Sequence, residues 1–300
     1  MAQKIGELAI FGGEPAINRV SLDLLRWPLL DGVDEAAILD VVRDANFPNE
    51  DPIRRFEEDL AAWIGARYVS AEASATNGIA ASLFACGVGP GDEVIVPTCT
   101  YWATCMPVLT FGATPVFCDV DPMSLNIDPD DIARKVNSRT KAIVVAHLLG
   151  QPCNMGAVND VAKKAGIPVI EDAAHAFGSI FSGQKIGRTA DICVFSFSRK
   201  ALSLSEGGAV VTDRYDLFER VLAYGHTERF NRSEVNSSEL LRFANVPLGG
   251  VTSRMHVISA AMGQIQLARL DKFIEEIDAA MSFFCDLLDG LECVLSLIHI

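Results

Sequence analysis

The feature that most constrains this 300-residue chain is a succession of short apolar runs, rich in β-branched residues, recurring between helix-like stretches. They fall at 93–97, 114–120, 142–147, 168–172, 192–197 and 208–212. A strand with one face in water alternates apolar and polar residues. These runs are apolar throughout, so both faces of their sheet are expected to be covered. Several of the runs are separated by helix-like segments, the alternation of a parallel sheet with crossover helices. The expected fold is therefore α/β, a mostly parallel sheet flanked by helices. Residues 35–45, 51–65 and 154–166 show apolar residues at three- and four-residue spacing and read as helices, the last closed by Gly166 and Pro168. Residues 226–250 are polar without a clean period and read as a mobile loop or a crossing between domains. A long helical pattern over 256–290 follows, leading into a second domain.

These patterns divide the chain into a large α/β domain over 1–248 and the start of a smaller, incomplete C-terminal domain over 249–294. The last six residues, LSLIHI (295–300), match one reading frame of a transposase sequencing adapter. They are expected to be an artefact at the end of a truncated translation.

Hydrophobic residues make up 50% of the chain and charged residues 21%, which excludes a disordered or low-complexity protein. The net charge of −14, with no basic run, argues against binding along a nucleic-acid backbone. A local anion site stays open, because backbone N–H groups hold a phosphate without net positive charge. The eight cysteines form no CxxC pair, and no His stands at zinc-ligand spacing from a pair. They read as buried thiols in a reducing compartment, with no metal. Residues 1–17 lack a secretory pattern and there is no apolar stretch of about 18 residues. A cytoplasmic protein without membrane contact is expected.

Ligands of parallel α/β sheets bind beyond the carboxyl ends of the strands, so polar residues just after the apolar runs are the candidates. Lys200 follows the ICVFSF run. A desolvated lysine there loses its proton readily and attacks carbonyl carbon. Asp172 ends the 168–172 run, and from its position alone it would cap a helix, ligate a metal or hold a protonated pyridine nitrogen. The small-residue turn SATNG (74–78) opens a helix and offers free N–H groups to a phosphate. Tyr101 and Trp102 follow the 93–97 run and would stack on a planar ring or join the core.

In order and spacing the chain resembles the DegT/StrS family of sugar and cyclitol aminotransferases, which use pyridoxal 5'-phosphate (PLP). The blocks that carry the likeness are GPGDEVIVP (89–97), GATPVFCDVDP (112–122), TKAIVVAHLLGQPCNM (140–155), VIEDAAHAFGS (169–179), FSFSRKALSLSEGGAVVT (195–212) and SRMHVISAAMGQIQLARLD (253–271). The resemblance implies a fold-type-I PLP transferase in which Lys200 makes the covalent link to the cofactor and Asp172 pairs with the pyridine nitrogen. It places His175 beside the ring's phenolic oxygen, Tyr101 on the ring, and Ala75, Thr76, Ser196 and Thr252 among the phosphate contacts. Glu206 stands at the expected distance after the lysine, and Arg254 matches a substrate-side arginine. The implied reaction moves an amino group from L-glutamate or L-glutamine to a keto-sugar nucleotide or keto-cyclitol, in a homodimer with shared sites.

Several positions depart from the family pattern. Ala75 replaces a usual glycine, so a positive φ there would be strained. The stretch from Ser196 to Lys200 is one residue short, and Thr252 replaces an asparagine. These departures motivate a catalytically silent regulatory homologue as one alternative. A dehydratase or aromatase like aminohydroxybenzoate synthase is the other.

Overall fold

A computed structural model of the chain describes residues 27–44 and 51–288. Cys293 and the 295–300 run lie outside the described residues. In chain order the elements are α1 (Gly32–Arg43), α2 (Asp51–Ile64), β1 (Tyr68–Glu72), α3 (Ala75–Ala85), β2 (Glu93–Pro97), α4 (Trp102–Thr110), β3 (Thr114–Cys118), α5 (Pro129–Lys135), β4 (Thr140–Ala146), α6 (Met155–Ala165) and β5 (Val169–Asp172). There follow β6 (Ile180–Phe181), β7 (Gln184–Lys185), β8 (Ile192–Ser196), β9 (Gly208–Thr212), α7 (Tyr215–Gly225), α8 (Ser238–Leu241), α9 (Val257–Ala268) and α10 (Leu270–Leu288).

Seven strands form the main sheet in the order β1-β9-β8-β5-β4-β2-β3. The pairs β2–β3, β2–β4, β4–β5 and β5–β8 are parallel, while β9 runs opposite to both β1 and β8. Successive residues of each strand feed opposite layers, which is why the runs are apolar throughout. In β8, Ile192 and Val194 pack with α3 and α7, while Cys193 and Phe195 pack with Phe56 and Leu60 of α2. In β4, Ala142 and Val144 face the first layer, and Ile143 and Val145 face the side of α6. Helix α3 lies hard against the sheet: a Cβ on Gly78 would stand 2.7 Å from Val194 Cγ1. Helix α6 starts at its Asn154 cap and ends at Gly166, which adopts the left-handed conformation (φ 69°), as its sequence predicts.

Each of the six expected strands forms, the second one stopping at Cys118. The seventh, β1, was hidden by Ser70 and Glu72, polar residues that are fully buried and hydrogen-bond to each other. The segment 226–250 is packed rather than a mobile loop. Phe230, Val235 and Leu240 form a small core with Ala223, and Arg229 meets Glu57 at 2.7 and 2.9 Å. Its polar residues break the period because they satisfy one another inside the protein. The 256–290 pattern is two helices, not one. They part at Arg269 (φ −111°), whose guanidinium turns to Asp34 at 2.8 Å and Asp31 at 3.1 Å. Cys118, Cys153 and Cys193 are buried as expected, but Cys86, Cys99, Cys105 and Cys285 are only half-buried. Among the described residues no helix is long and apolar enough to cross a membrane.

Candidate active site

A cavity of about 370 Å³ opens beyond the carboxyl ends of β4, β5 and β8. That is within the size range of small-molecule sites, about 300–1,000 Å³. Three chain segments that follow strands, together with the first turns of α3 and α4, supply its walls. Ser74, Ala75 and Thr76 come from α3, and Thr100, Tyr101 and Trp102 from the turn before α4. Asp172 and His175 follow β5, while Ser196 and Lys200 follow β8; Glu206 closes the side before β9.

The start of α3 is built to accept an anion. Ser74 Oγ accepts the N–H of Asn77, and the N–H groups of Ala75 and Thr76, in the first turn, have no intrahelical acceptor. Ala75 is an ordinary first helical residue and is absent from the positive-φ positions, so the strain expected from losing a glycine there does not arise. The close approach is made instead at Gly208. A Cβ on it would lie 2.5 Å from Ala75 N, 2.7 Å from Ser74 C and 2.8 Å from Phe195 O, so only glycine lets β9 begin beneath this turn.

Asp172 is 7% exposed, and both of its oxygens are held. Oδ1 accepts the N–H of Ala174 at 3.1 Å, and Oδ2 accepts the hydroxyl proton of Thr104 at 2.7 Å. Its neighbour Glu171 points to the other face, where it pairs with His147 at 3.2 Å and with the Thr189 hydroxyl. Because His147 Nδ1 accepts the N–H of Cys153, the ring proton of the neutral imidazole sits on Nε2, toward Glu171. His175 Nδ1 accepts the N–H of Leu149 at 3.4 Å. Burial, and then the charge of Lys200, hold the His175 imidazole below its usual range, against the opposing pull of Asp172.

Lys200 lies in a loop of unusual backbone. Arg199 before it and Ser205 after it are left-handed, at φ 52° and 69°, and Leu149, beside His175, has φ 55°. Such conformations cost about 1–3 kcal/mol each and cluster at functional sites. The carbonyl of Lys200 accepts the indole N–H of Trp27 at 2.7 Å, and the Trp27 ring meets Phe273 of α10 edge-on. Among the described residues Lys200 Nζ has no hydrogen-bond or ion-pair partner.

The structure thus gathers Ala75, Thr76, Tyr101, Asp172, His175, Ser196, Lys200 and Glu206 around one cavity, despite the shortened 196–200 stretch. Thr252 and Arg254 do not line it. Arg254 pairs with Glu228 and bridges to Glu72 of β1. Thr104, His147 and Ser198 escaped the sequence reading. The one available signal was position: Thr100 and Thr104 stand close behind the 93–97 run, where the sheet's ligands bind.

The donor set suits a phosphorylated, planar, basic ring. Free N–H groups suited to an anion, a buried carboxylate suited to a ring nitrogen, an exposed aromatic, and a lysine with no partner among the described residues line the same cavity.

The DegT/DnrJ/EryC1/StrS aminotransferase family model matches residues 30–299. The chain is 40% identical over 224 residues to the spore coat polysaccharide biosynthesis protein SpsC of Bacillus subtilis, covering 73% of this chain and 57% of that protein. It is 35% identical to the UDP-2-acetamido-2-deoxy-3-oxo-D-glucuronate aminotransferase of Pseudomonas aeruginosa (81% and 64% covered). To the L-glutamine:2-deoxy-scyllo-inosose aminotransferase of Streptomyces fradiae it is 37% identical (72% and 52% covered). It therefore spans between half and two-thirds of the length of these curated relatives. Among solved structures, the aminotransferase from Psychrobacter cryohalolentis superposes with a TM-score of 0.80 at 31% identity, over 89% of this chain and 69% of that one. With six predicted strands in place and the cavity at their carboxyl ends, the chain belongs to the DegT/DnrJ/EryC1/StrS aminotransferase family, a family of PLP-dependent enzymes with the fold-type-I architecture.

Proposed function

We propose that this protein is a PLP-dependent aminotransferase that takes an amino group from L-glutamate or L-glutamine and delivers it to a keto-sugar nucleotide or a keto-cyclitol. The observation that carries the reading is the joint presence of Lys200 and the doubly held carboxylate of Asp172 in one cavity at the α3 N-terminus. PLP, when bound, supplies an electron sink for the pair left at the donor's Cα. Asp172 would keep the ring nitrogen protonated. The N–H groups of Ala75 and Thr76, with Ser196 and a contribution from Thr252 across the subunit boundary, would hold the phosphate. Tyr101, 61% exposed, would offer its ring face for stacking, and His175 would donate to the phenolic oxygen from its Nε2–H. Lys200 Nζ would take the proton from the donor's Cα and deliver it to the cofactor's C4′, serving as base and then as acid. Arg254 would orient the substrate in a homodimer, after the large domain has given way to the smaller one near residue 248.

The relatives' names support an acceptor of the sugar-nucleotide or cyclitol class. The test is the visible spectrum of the purified chain with PLP, before and after L-glutamate or L-glutamine, beside Lys200→Ala. A band that requires Lys200 and disappears with the donor, with release of a keto acid, is expected. A band without keto acid would favour the dehydratase or aromatase, and no band in a folded protein would favour the silent homologue.

A further inference from the structure

Asp172 is the group on which the proposed chemistry turns, and it is held from behind by a residue that never reaches the cavity. The side chain of Thr104 is completely buried, and its hydroxyl lies 2.7 Å from Asp172 Oδ2. It also lies 2.7 Å from Thr100 Oγ1, in the turn before α4 at the cavity wall. An ionised carboxylate accepts only, so the single hydroxyl proton of Thr104 goes to Asp172. The contact between the two threonines is then satisfied only if Thr100 is the donor. The protons are therefore ordered Thr100 to Thr104 to Asp172, and each bond polarises the next.

We propose that Thr104, backed by Thr100, is a positioning residue that fixes the rotamer of Asp172 and supports its charge, so that the carboxylate meets a ring nitrogen without reorganising. The inference rests on the PLP reading above and adds to it the source of the carboxylate's orientation. The other tether, the N–H of Ala174, belongs to the loop after β5. Thr104 belongs to α4, so the two tethers come from different elements and together leave Asp172 little freedom to turn. A hydrogen bond to a charged group is stronger to the ionised than to the neutral acid, and losing it leaves a buried carboxylate oxygen without a partner.

The experiment is a PLP titration of the 300-residue chain, read by absorbance and by intrinsic fluorescence, for the unmodified protein and for Thr104→Val, Thr104→Ser and Thr100→Val. Thr104→Val keeps the shape and removes the hydroxyl. It is expected to weaken PLP binding by about tenfold or more and to move the bound cofactor's absorption band in the same direction as Asp172→Asn. Thr104→Ser is expected to restore both the affinity and the band. Thr100→Val, at a half-buried position, is expected to give a smaller loss of about two- to fivefold, and it serves as the test if Thr104→Val fails to fold. Wild-type affinity in Thr104→Val, or equal losses in the Val and Ser variants, would overturn the proposal. Failure of the unmodified chain to bind PLP through Lys200 would instead bring down the cofactor reading itself.

Discussion

The 226–254 segment and the strand-end cavity both bury charged side chains, and they complete them differently. In the segment, Glu57 takes two contacts from Arg229 and the N–H of Ala71, while Arg229 also reaches Glu234. Close by, Glu72 accepts from His226 Nε2 at 2.9 Å, from Ser70 and from Ser253. These groups complete one another within the chain, stitching a polar segment onto α2 and β1. At the cavity, Asp172 is held only from behind, and Lys200 Nζ has no partner among the described residues. Burial of charge is common to both. What separates a fastening from a reactive site is whether the hydrogen-bonding capacity is spent inside the protein or kept for a ligand.

The contrast can be broken by substitution. Glu57→Gln takes one of two carboxylates from the buried Arg229, which keeps Glu234. It is expected to cost roughly 3–5 kcal/mol in a denaturant melt, the scale for removing one partner of a buried pair. PLP affinity measured on the folded fraction should hardly move. An equal loss of affinity would show that the segment serves the cavity directly. Gly208→Ala forces a methyl group against backbone atoms of Ser74, Ala75 and Phe195 and should cost about 1–3 kcal/mol. Here PLP affinity should fall as well, because the displaced atoms belong to the turn proposed to hold the phosphate. The smallest effect concerns His175. In the cofactor-free chain its NMR titration should fall below the usual 6.5 and rise part of the way back in Lys200→Ala, since burial is the first cause of its shift and the Lys200 charge the second. A midpoint indifferent to Lys200 would place the two side chains further apart than the structure has them.

How much of this was legible in the sequence depended on where each group's partners lie. The strands of the sheet interior were readable because both of their faces are apolar, and Lys200 and Asp172 because they stand just after such strands. Strand β1 was not, since its buried Ser70 and Glu72 are paired with His226, more than 150 positions away. The 226–250 segment looked mobile for the same reason: its polarity is internal, and period carries no information about a distant partner. The break at Arg269 was equally invisible, because it depends on Asp31 and Asp34 in a different helix-capping region. Thr104 could be placed near the site but not assigned, since nothing local links it to Asp172, 68 positions on.

The contact between Trp27 and Lys200 bears on the order in which the protein assembles. The indole meets the lysine's carbonyl across 173 positions of sequence, and the Trp27 ring in turn leans on Phe273. Closing loops of that length is slow compared with forming local structure. The lysine loop therefore gains this restraint only after the beginning of the chain and α10 have met beside it. The backbone of the lysine loop is thereby fastened to elements near both ends of the described residues, so removing either the Trp27 or the Phe273 ring would leave the loop with one anchor fewer.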